Sequence, residues 1–251
     1  MEILIGLVGF FSGFICGLFG MGGGSLMVPA IYYFFGSNFP LDQKMKISIG
    51  TSLFVIIFSS ISGIIAYFKN KKIKTQLILF IVPSGIIGSQ IGALLTSKLE
   101  DKIVKYIFVL LITFLGIRMF FAPENQSVEL DRKNNNKLAA IFIGFFSGFV
   151  SGLCGVGGAV LIIPFLYLFV KIPIHYAIGT ALIAIFFNSL SASIGYLLHN
   201  LVNIKIGIIL AISSVIGAPI GAKIGISFEK NRLRKIFSII LIISGISVLL
   251  K

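Results

Sequence analysis

Two glycine-broken apolar stretches constrain this chain more than anything else in it. Residues 9–29 read GFFSGFICGLFGMGGGSLMVP, and residues 144–164 read GFFSGFVSGLCGVGGAVLIIP. They align without a gap at a shift of 135 residues. Each is an apolar run with glycines at every fourth position, then a tight glycine cluster, then a second apolar run that reaches proline. Consecutive glycines end a helix because they lose the most backbone freedom on ordering. Each stretch therefore predicts a membrane helix, a break and a second, shorter helix.

The surrounding chain agrees with a membrane setting. Of 251 residues, 57% are hydrophobic and 12% charged, against about 25% charged in a typical soluble domain. Several apolar runs approach the roughly 20 residues that cross a bilayer as a helix. The net charge of +13 does not indicate nucleic acid. The Lys and Arg residues sit between apolar runs, as in short cytoplasmic loops, and no basic face or recognition motif accompanies them. Cys16 and Cys154 lie inside apolar helices at no metal or redox spacing, and read as small buried residues. The N-terminus lacks a basic region and belongs to the first repeat, which argues against a cleaved signal peptide.

Taken in order, the chain predicts helices at 3–19, 25–36, 47–68, 76–96 and 103–121. A second series follows at 138–154, 159–170, 175–198, 204–225 and 234–250. The breaks fall at 20–24 and 155–158. Residues 122–137 form the long polar stretch and read as a linker. Beyond the first break the repeat continues at a shift of 129. Ile49-Gly50-Thr51 matches Ile178-Gly179-Thr180, and Gly88 and Gly92 match Gly217 and Gly221. The domain organisation is thus an N-terminal repeat at 1–121, the linker at 122–137 and a C-terminal repeat at 138–251.

Loop charge indicates how the repeats are oriented. Lys69, Lys71, Lys72 and Lys74 follow the third helix of the first half, whereas the equivalent loop at 199–204 holds no Lys or Arg. The loop after the fourth helix reverses this, with Lys230, Arg232, Arg234 and Lys235 in the second half. The basic loop changes place between halves, as inverted topology requires. The fold class expected is an all-α polytopic membrane protein with two inverted-topology repeats. Each repeat has about five membrane segments, including a glycine-broken helical hairpin. The short helix at 25–36 is better suited to a partly penetrating hairpin than to a full span.

The breaks carry the chemistry. Non-helical backbone within a membrane persists where protein or water surrounds it. The first N–H groups of the helix after each break have no intrahelical partner, and the helix dipole adds positive potential there. A small anion is the natural guest. Candidate substrate-binding residues are Gly22, Gly23, Gly24 and Ser25 at the first break, with Gly157, Gly158 and Ala159 at the second. Thr51, Thr180, Gln90 and Asn188 add polar lining from other helices. A competing account gives the glycines a packing or hinge role alone. It serves well for Gly9, Gly13, Gly17 and their counterparts, and less well for the consecutive cluster. A phosphate-cradling reading of GLFGMGGGS fails for want of a Lys after the last Gly, a preceding strand and a distal acid.

All eight acidic residues and both histidines fall in loops or at helix ends. The sequence therefore offers no cluster for a metal, no acid–base pair, no cofactor motif and no buried proton relay. This points away from an enzyme. Transport could instead draw on membrane potential, worth about 2.3 kcal/mol per charge per 100 mV.

The duplicated GFFSGxxxGLxGxGG motif, the IGT after each copy and the Gly-x-x-Ile-Gly-Ala of each fourth helix resemble the sulfite exporter TauE/SafE family of membrane transporters. The resemblance covers nearly the whole chain. It implies a multi-pass permease of the bacterial inner or plasma membrane. Such a permease moves sulfite, a sulfonate or a related organosulfur anion by alternating access, with membrane lipid around it and no nucleic-acid partner. An anion channel or uniporter is the alternative, and a non-transporting scaffold a more distant one. The sequence leaves a homo-oligomer open. The chain departs from the repeat at Ala159, where the first half has Gly24, and at Gln90, where the second half has Pro219.

Overall fold

The computed structural model describes residues 2–19, 23–69, 73–121, 137–168, 170, 172, 174–227 and 230–249. Gly20 and Gly22 of the first break, Lys71 and Lys72, and linker residues 122–136 lie outside this set, as does the side chain of Ala159. Ten α-helices account for most of what is described. They are α1 (Glu2–Phe19), α2 (Gly24–Phe34), α3 (Lys44–Lys69), α4 (Thr75–Lys98) and α5 (Asp101–Phe120). The second series is α6 (Lys137–Cys154), α7 (Ala159–Leu168), α8 (Ile174–Leu198), α9 (Ile204–Ser227) and α10 (Lys230–Leu249). A single 3-10 turn, Gly36–Asn38, follows α2. The boundaries expected from hydrophobic runs hold to within a few residues at each end.

Among the described residues five helices are long and apolar enough to cross a membrane: Lys44–Lys69, Thr75–Lys98, Lys137–Cys154, Tyr176–Leu198 and Ile204–Gly225. At about 1.5 Å per residue, the 11 residues of α2 and 10 of α7 cannot cross a hydrocarbon core of about 30 Å. Large apolar side chains cover the outside of the helices, among them Leu79 (73% exposed), Leu110 (68%) and Ile212 (63%). A soluble monomer does not tolerate such an apolar exterior; lipid does.

The helices pair across the two series. α1 packs along α9, and α6 along α4, in equivalent fashion. α3 packs on α9 and α8 on α4. α3 meets α8, and α5 meets α10. The fourth-position glycines make the first two pairings close. A Cβ on Gly13 would strike Ser214 O and one on Gly17 would strike Ala218 O, while Gly217 and Gly221 of α9 lie against Phe10 O and Phe14 O. Gly148 and Gly152 of α6 meet Gly85 O and Ser89 O of α4, and Gly88 and Gly92 answer against Phe145 O and Phe149 O. Lipid tails are as apolar as Leu, so close backbone packing replaces the hydrophobic effect as the force between these helices.

Polar caps tie helix ends to the other series. The Thr51 hydroxyl of α3 accepts the Asn203 N–H at 2.9 Å, just before α9. The Thr180 hydroxyl of α8 accepts the Lys74 N–H at 3.0 Å, at the N-cap of α4. These satisfy amides that a helix start leaves without partners. The carboxylate of Asp101 does the same for α3, accepting the N–H groups of Met45 and Lys46 at 2.9 Å each.

Candidate functional site around the second break

Both breaks are left-handed corners. Gly23 has φ 65°, and Gly155, Gly157 and Gly158 have φ 71°, 75° and 81°. Gly23 O accepts the N–H groups of Leu26 (3.2 Å) and Met27 (3.1 Å), and Gly158 O accepts those of Leu161 and Ile162 (3.1 Å each). The two corners therefore start α2 and α7 in the same way, and leave the amides ahead of Leu26 and Leu161 without an acceptor in their own helix. The corners also pack alike. A Cβ on Gly23 would lie 2.7 Å from Ser12 O, and one on Gly158 would lie 2.5 Å from Ser147 O, its equivalent.

The breaks touch each other. A Cβ on Gly24 would strike Gly155 O and come within 2.8 Å of Val156 Cα. Ser52 of α3 donates to Gly155 O at 3.0 Å. No guest fits between Gly24 and Gly155 in this packing. A cleft of about 440 Å³ lies between α6 and α7, lined by Phe142, Phe146, Leu161 and Phe165 with Ser147.

Around Gly157 and Gly158 the polar side chains are unusual. Most buried serines here bond back to their own helix, as Ser12 does to Val8 O and Ser147 to Gly144 O. That is how a hydroxyl survives in an apolar helix. Asn188 of α8 does not. It is 0% exposed, and neither end of its amide has a hydrogen-bond partner. Nδ2 lies 3.3 Å from the Cβ position of Gly158, and Oδ1 rests against Gly85 of α4. Ser189 Oγ, also unpartnered and 0% exposed, lies 3.4 Å from the Cβ position of Gly157. Ser151 Oγ is buried and unpartnered too; it occupies on α6 the position of Cys16, which sits beside Gly23 on α1.

Among the described residues the first break lacks this cluster. Its equivalents of Asn188 and Ser189 are Ser59 and Ser60, whose hydroxyls donate to Ile56 O and Ile57 O. Ser25, at the start of α2, is its buried unpartnered group; Val160 stands opposite. The structure thus gathers Gly157, Gly158 and Asn188, and sets Gly24 against Gly155 and Val156 of the same break. Gln90 stands apart on α4, its Oε1 buried and unpartnered near Gly195. Thr51 and Thr180 cap helices at the loop ends. Ser151 and Gly85 are missing from the expected site. A signal for Ser151 exists, since it is a polar residue at a position where the first copy has cysteine.

Among the described residues no group of three or more His, Cys, Asp or Glu comes together. The chemistry on offer is hydrogen bonding by neutral dipoles, in a site without a formal charge of its own.

The comparison with known proteins settles what kind of molecule carries this arrangement. The family model described as sulfite exporter TauE/SafE matches residues 5–248. The chain belongs to that family. Its relatives include a probable membrane transporter protein of Methanocaldococcus jannaschii, 31% identical over all of this chain and 96% of the relative. The probable membrane transporter protein YunE of Bacillus subtilis is 27% identical, covering 97% of this chain and 95% of its own length. A probable membrane transporter protein of Haemophilus influenzae is 27% identical over 98% and 97% of the two chains. No solved structure matches. A member of this transporter family with five spanning-length apolar helices is a multi-pass cell-membrane protein.

Proposed function

We propose that the protein is a permease that carries a small anion, sulfite or a related organosulfur anion, across the membrane by alternating access. Two inverted repeats, 1–121 and 138–251, would provide the two exchanging arrangements. The exchange of helix partners between series supports that reading, because α1–α9 and α6–α4 are equivalent contacts. So does the exchange of basic loops in the sequence.

The observation that carries the proposal is the Asn188 amide, fully buried and unpartnered at both ends beside the left-handed Gly158 corner. A buried amide without partners costs about 1–3 kcal/mol. It is a reasonable cost for a group that completes its bonds only when a ligand arrives. Asn188, Ser189 and Ser151, with the first amides of α7, supply donors to an anion at the helix start, where the dipole favours negative charge. The guest sits beside the second break rather than between the two. Gly24 closes against the second break from the first half, and Thr51 and Thr180 hold the helices that frame it.

Sulfite uptake into proteoliposomes holding the purified protein tests this. Saturable uptake, counterflow by unlabelled sulfite, and loss of both on replacing Asn188 are expected. Single-channel currents would establish a channel instead, and absence of any anion flux would count against transport of this class.

A further inference from the structure

The hydrogen-bond inventory of the second break reaches further, to the protonation state of its guest. We infer that the site takes a singly charged oxyanion that still carries its own O–H, and rejects the fully deprotonated dianion. The inference rests on the anion site proposed above.

Asn188 has a second end to satisfy. Whichever way the amide is turned, it presents two donors on one side and an acceptor on the other. Both ends are unpartnered, and the residue is 0% exposed. A bare oxyanion offers only acceptors. It would satisfy the amide N–H, the hydroxyls of Ser189 and Ser151 and the first amides of α7, and leave the amide oxygen unpaired against another oxygen. An anion with an O–H satisfies both ends at once. Sites that pair a ligand hydroxyl discriminate strongly against the analogue without it, because the buried partner is stranded.

Charge argues in the same direction. The elements packed on α8 are α3, α4, α6 and α7. The Lys residues of α3, α4 and α6 all lie in terminal turns: Lys44, Lys46, Lys69, Lys98 and Lys137. Asn188 lies 14 residues into α8, roughly 20 Å along the axis. No described cation stands there to offset a second negative charge, and desolvating two charges costs far more than desolvating one. The other titratable groups on these elements are Tyr67, Cys154 and Tyr167, with His175, Tyr176 and Tyr196 on α8 itself. Phenols and thiols ordinarily ionise above about pH 8, and His175 is in the first turn of α8. Between about pH 6 and 8, the dependence expected therefore belongs to the ligand.

Sulfite and hydrogen sulfite interconvert near neutrality, so one probe samples both forms. Equilibrium binding of sulfite to the detergent-purified full chain, from about pH 6 to 8, decides the matter without a transmembrane gradient. Methanesulfonate, a monoanion at every pH and without an O–H, is the control. The half-saturating concentration of total sulfite should rise about tenfold per pH unit above the ionisation of hydrogen sulfite, and be constant when expressed as hydrogen sulfite. Methanesulfonate should bind about 10- to 100-fold more weakly, the loss expected for one stranded buried group, with no pH trend. Asn188→Ala should bind sulfite more weakly and lose the preference for sulfite over methanesulfonate. A half-saturating concentration that is flat or falls with pH overturns the inference while leaving the anion site standing. A preference for sulfite over methanesulfonate that survives undiminished in Asn188→Ala overturns the role of this amide. If neither probe binds at any pH, the site reading of the previous subsection falls as well. Should Asn188→Ala fail to fold, the parent's pH profile alone decides.

Discussion

A functional amide and a structural one differ in the sign of what their removal does to stability. Asn188→Ala makes the contrast. In the structure the amide makes no hydrogen bond and is fully buried, so its removal relieves a desolvation penalty of about 1–3 kcal/mol. Against this stands the vacated space beside Gly85 and Gly158, which costs about 1 kcal/mol for a gap of methyl size. The net is a gain of roughly 0–2 kcal/mol, equivalent to a melting temperature unchanged or raised by up to about 8 °C for a chain of this length. A structural asparagine bonded at both ends would give the opposite result. It would forfeit two bonds of about 1 kcal/mol each as well as the packing. The assay is thermal unfolding of the detergent-purified protein in anion-free buffer, for parent and variant, alongside sulfite uptake in proteoliposomes. Equal or higher stability with lost uptake is expected. A fall of more than about 2 kcal/mol, the cost of two lost hydrogen bonds, would show that the amide is bonded in the folded protein and would refute the reasoning.

Thr51→Val and Thr180→Val each strand a helix-start amide, and should each cost about 1 kcal/mol in thermal unfolding while leaving half-saturation by sulfite unchanged; the Ser variants should recover the loss. Gly158→Ala puts a Cβ at φ 81°, 2.5 Å from Ser147 O, and should destabilise by about 2–5 kcal/mol from left-handed strain and overpacking together. Gly23→Ala, at φ 65° and 2.7 Å from Ser12 O, should do the same, and uptake measured on whatever folded fraction remains should be reduced by the first more than by the second. Asp101→Ala removes the acceptor of two α3 amides and should lower stability by about 1–2 kcal/mol, read as a shift in the same melt.

Much of the fold was legible because two sequence periods coincide with physical requirements. Glycines at every fourth position fix a close helix face, and the same glycines turn up against the backbones of α9 and α4. Runs of 20 or more apolar residues fix the spans, and clustered glycines fix the corners. Partner choice was not legible. Nothing in α1 says that it will pack on α9 rather than on α4, since Gly85, Gly88 and Gly92 would accept it about as well as Gly217 and Gly221. The candidate site was half legible. Gly157, Gly158 and Asn188, which the structure brings together, stand out as a corner and a mid-helix amide in apolar sequence. Thr51 and Thr180 stood out equally, being polar, repeated and next to glycine, yet their hydroxyls meet Asn203 and Lys74. A capping threonine and a ligand-binding one read alike until the partner amide is placed. Ser151 was overlooked because a single serine in a helix is ordinarily satisfied by its own backbone, and only its lack of a partner sets it apart.

The pairing also constrains how the site could open. Along α1–α9 and α6–α4 the glycines set backbone against backbone, with small serine side chains such as Ser84 and Ser213 beside them, so sliding either pair would force carbonyl oxygens past Cα atoms. Each pair should therefore travel as a unit, leaving α3 against α8 as the seam that changes. There the contact is made by side chains, Leu182 Cδ2 lying 3.2 Å from the Cβ position of Gly63, and side chains can repack. Two cysteine pairs separate these interfaces. The Cβ position of Gly6 lies 3.6 Å from Ser213 Oγ, within the reach of a disulfide, so Gly6→Cys with Ser213→Cys joins α1 to α9. Gly63→Cys with Leu182→Cys joins α3 to α8. Oxidation of the first pair should leave sulfite uptake in proteoliposomes intact. Oxidation of the second should abolish it, with recovery on reduction. If the first cross-link stops transport and the second does not, the glycine-packed pairs are the moving surfaces and the rigid-unit argument is wrong.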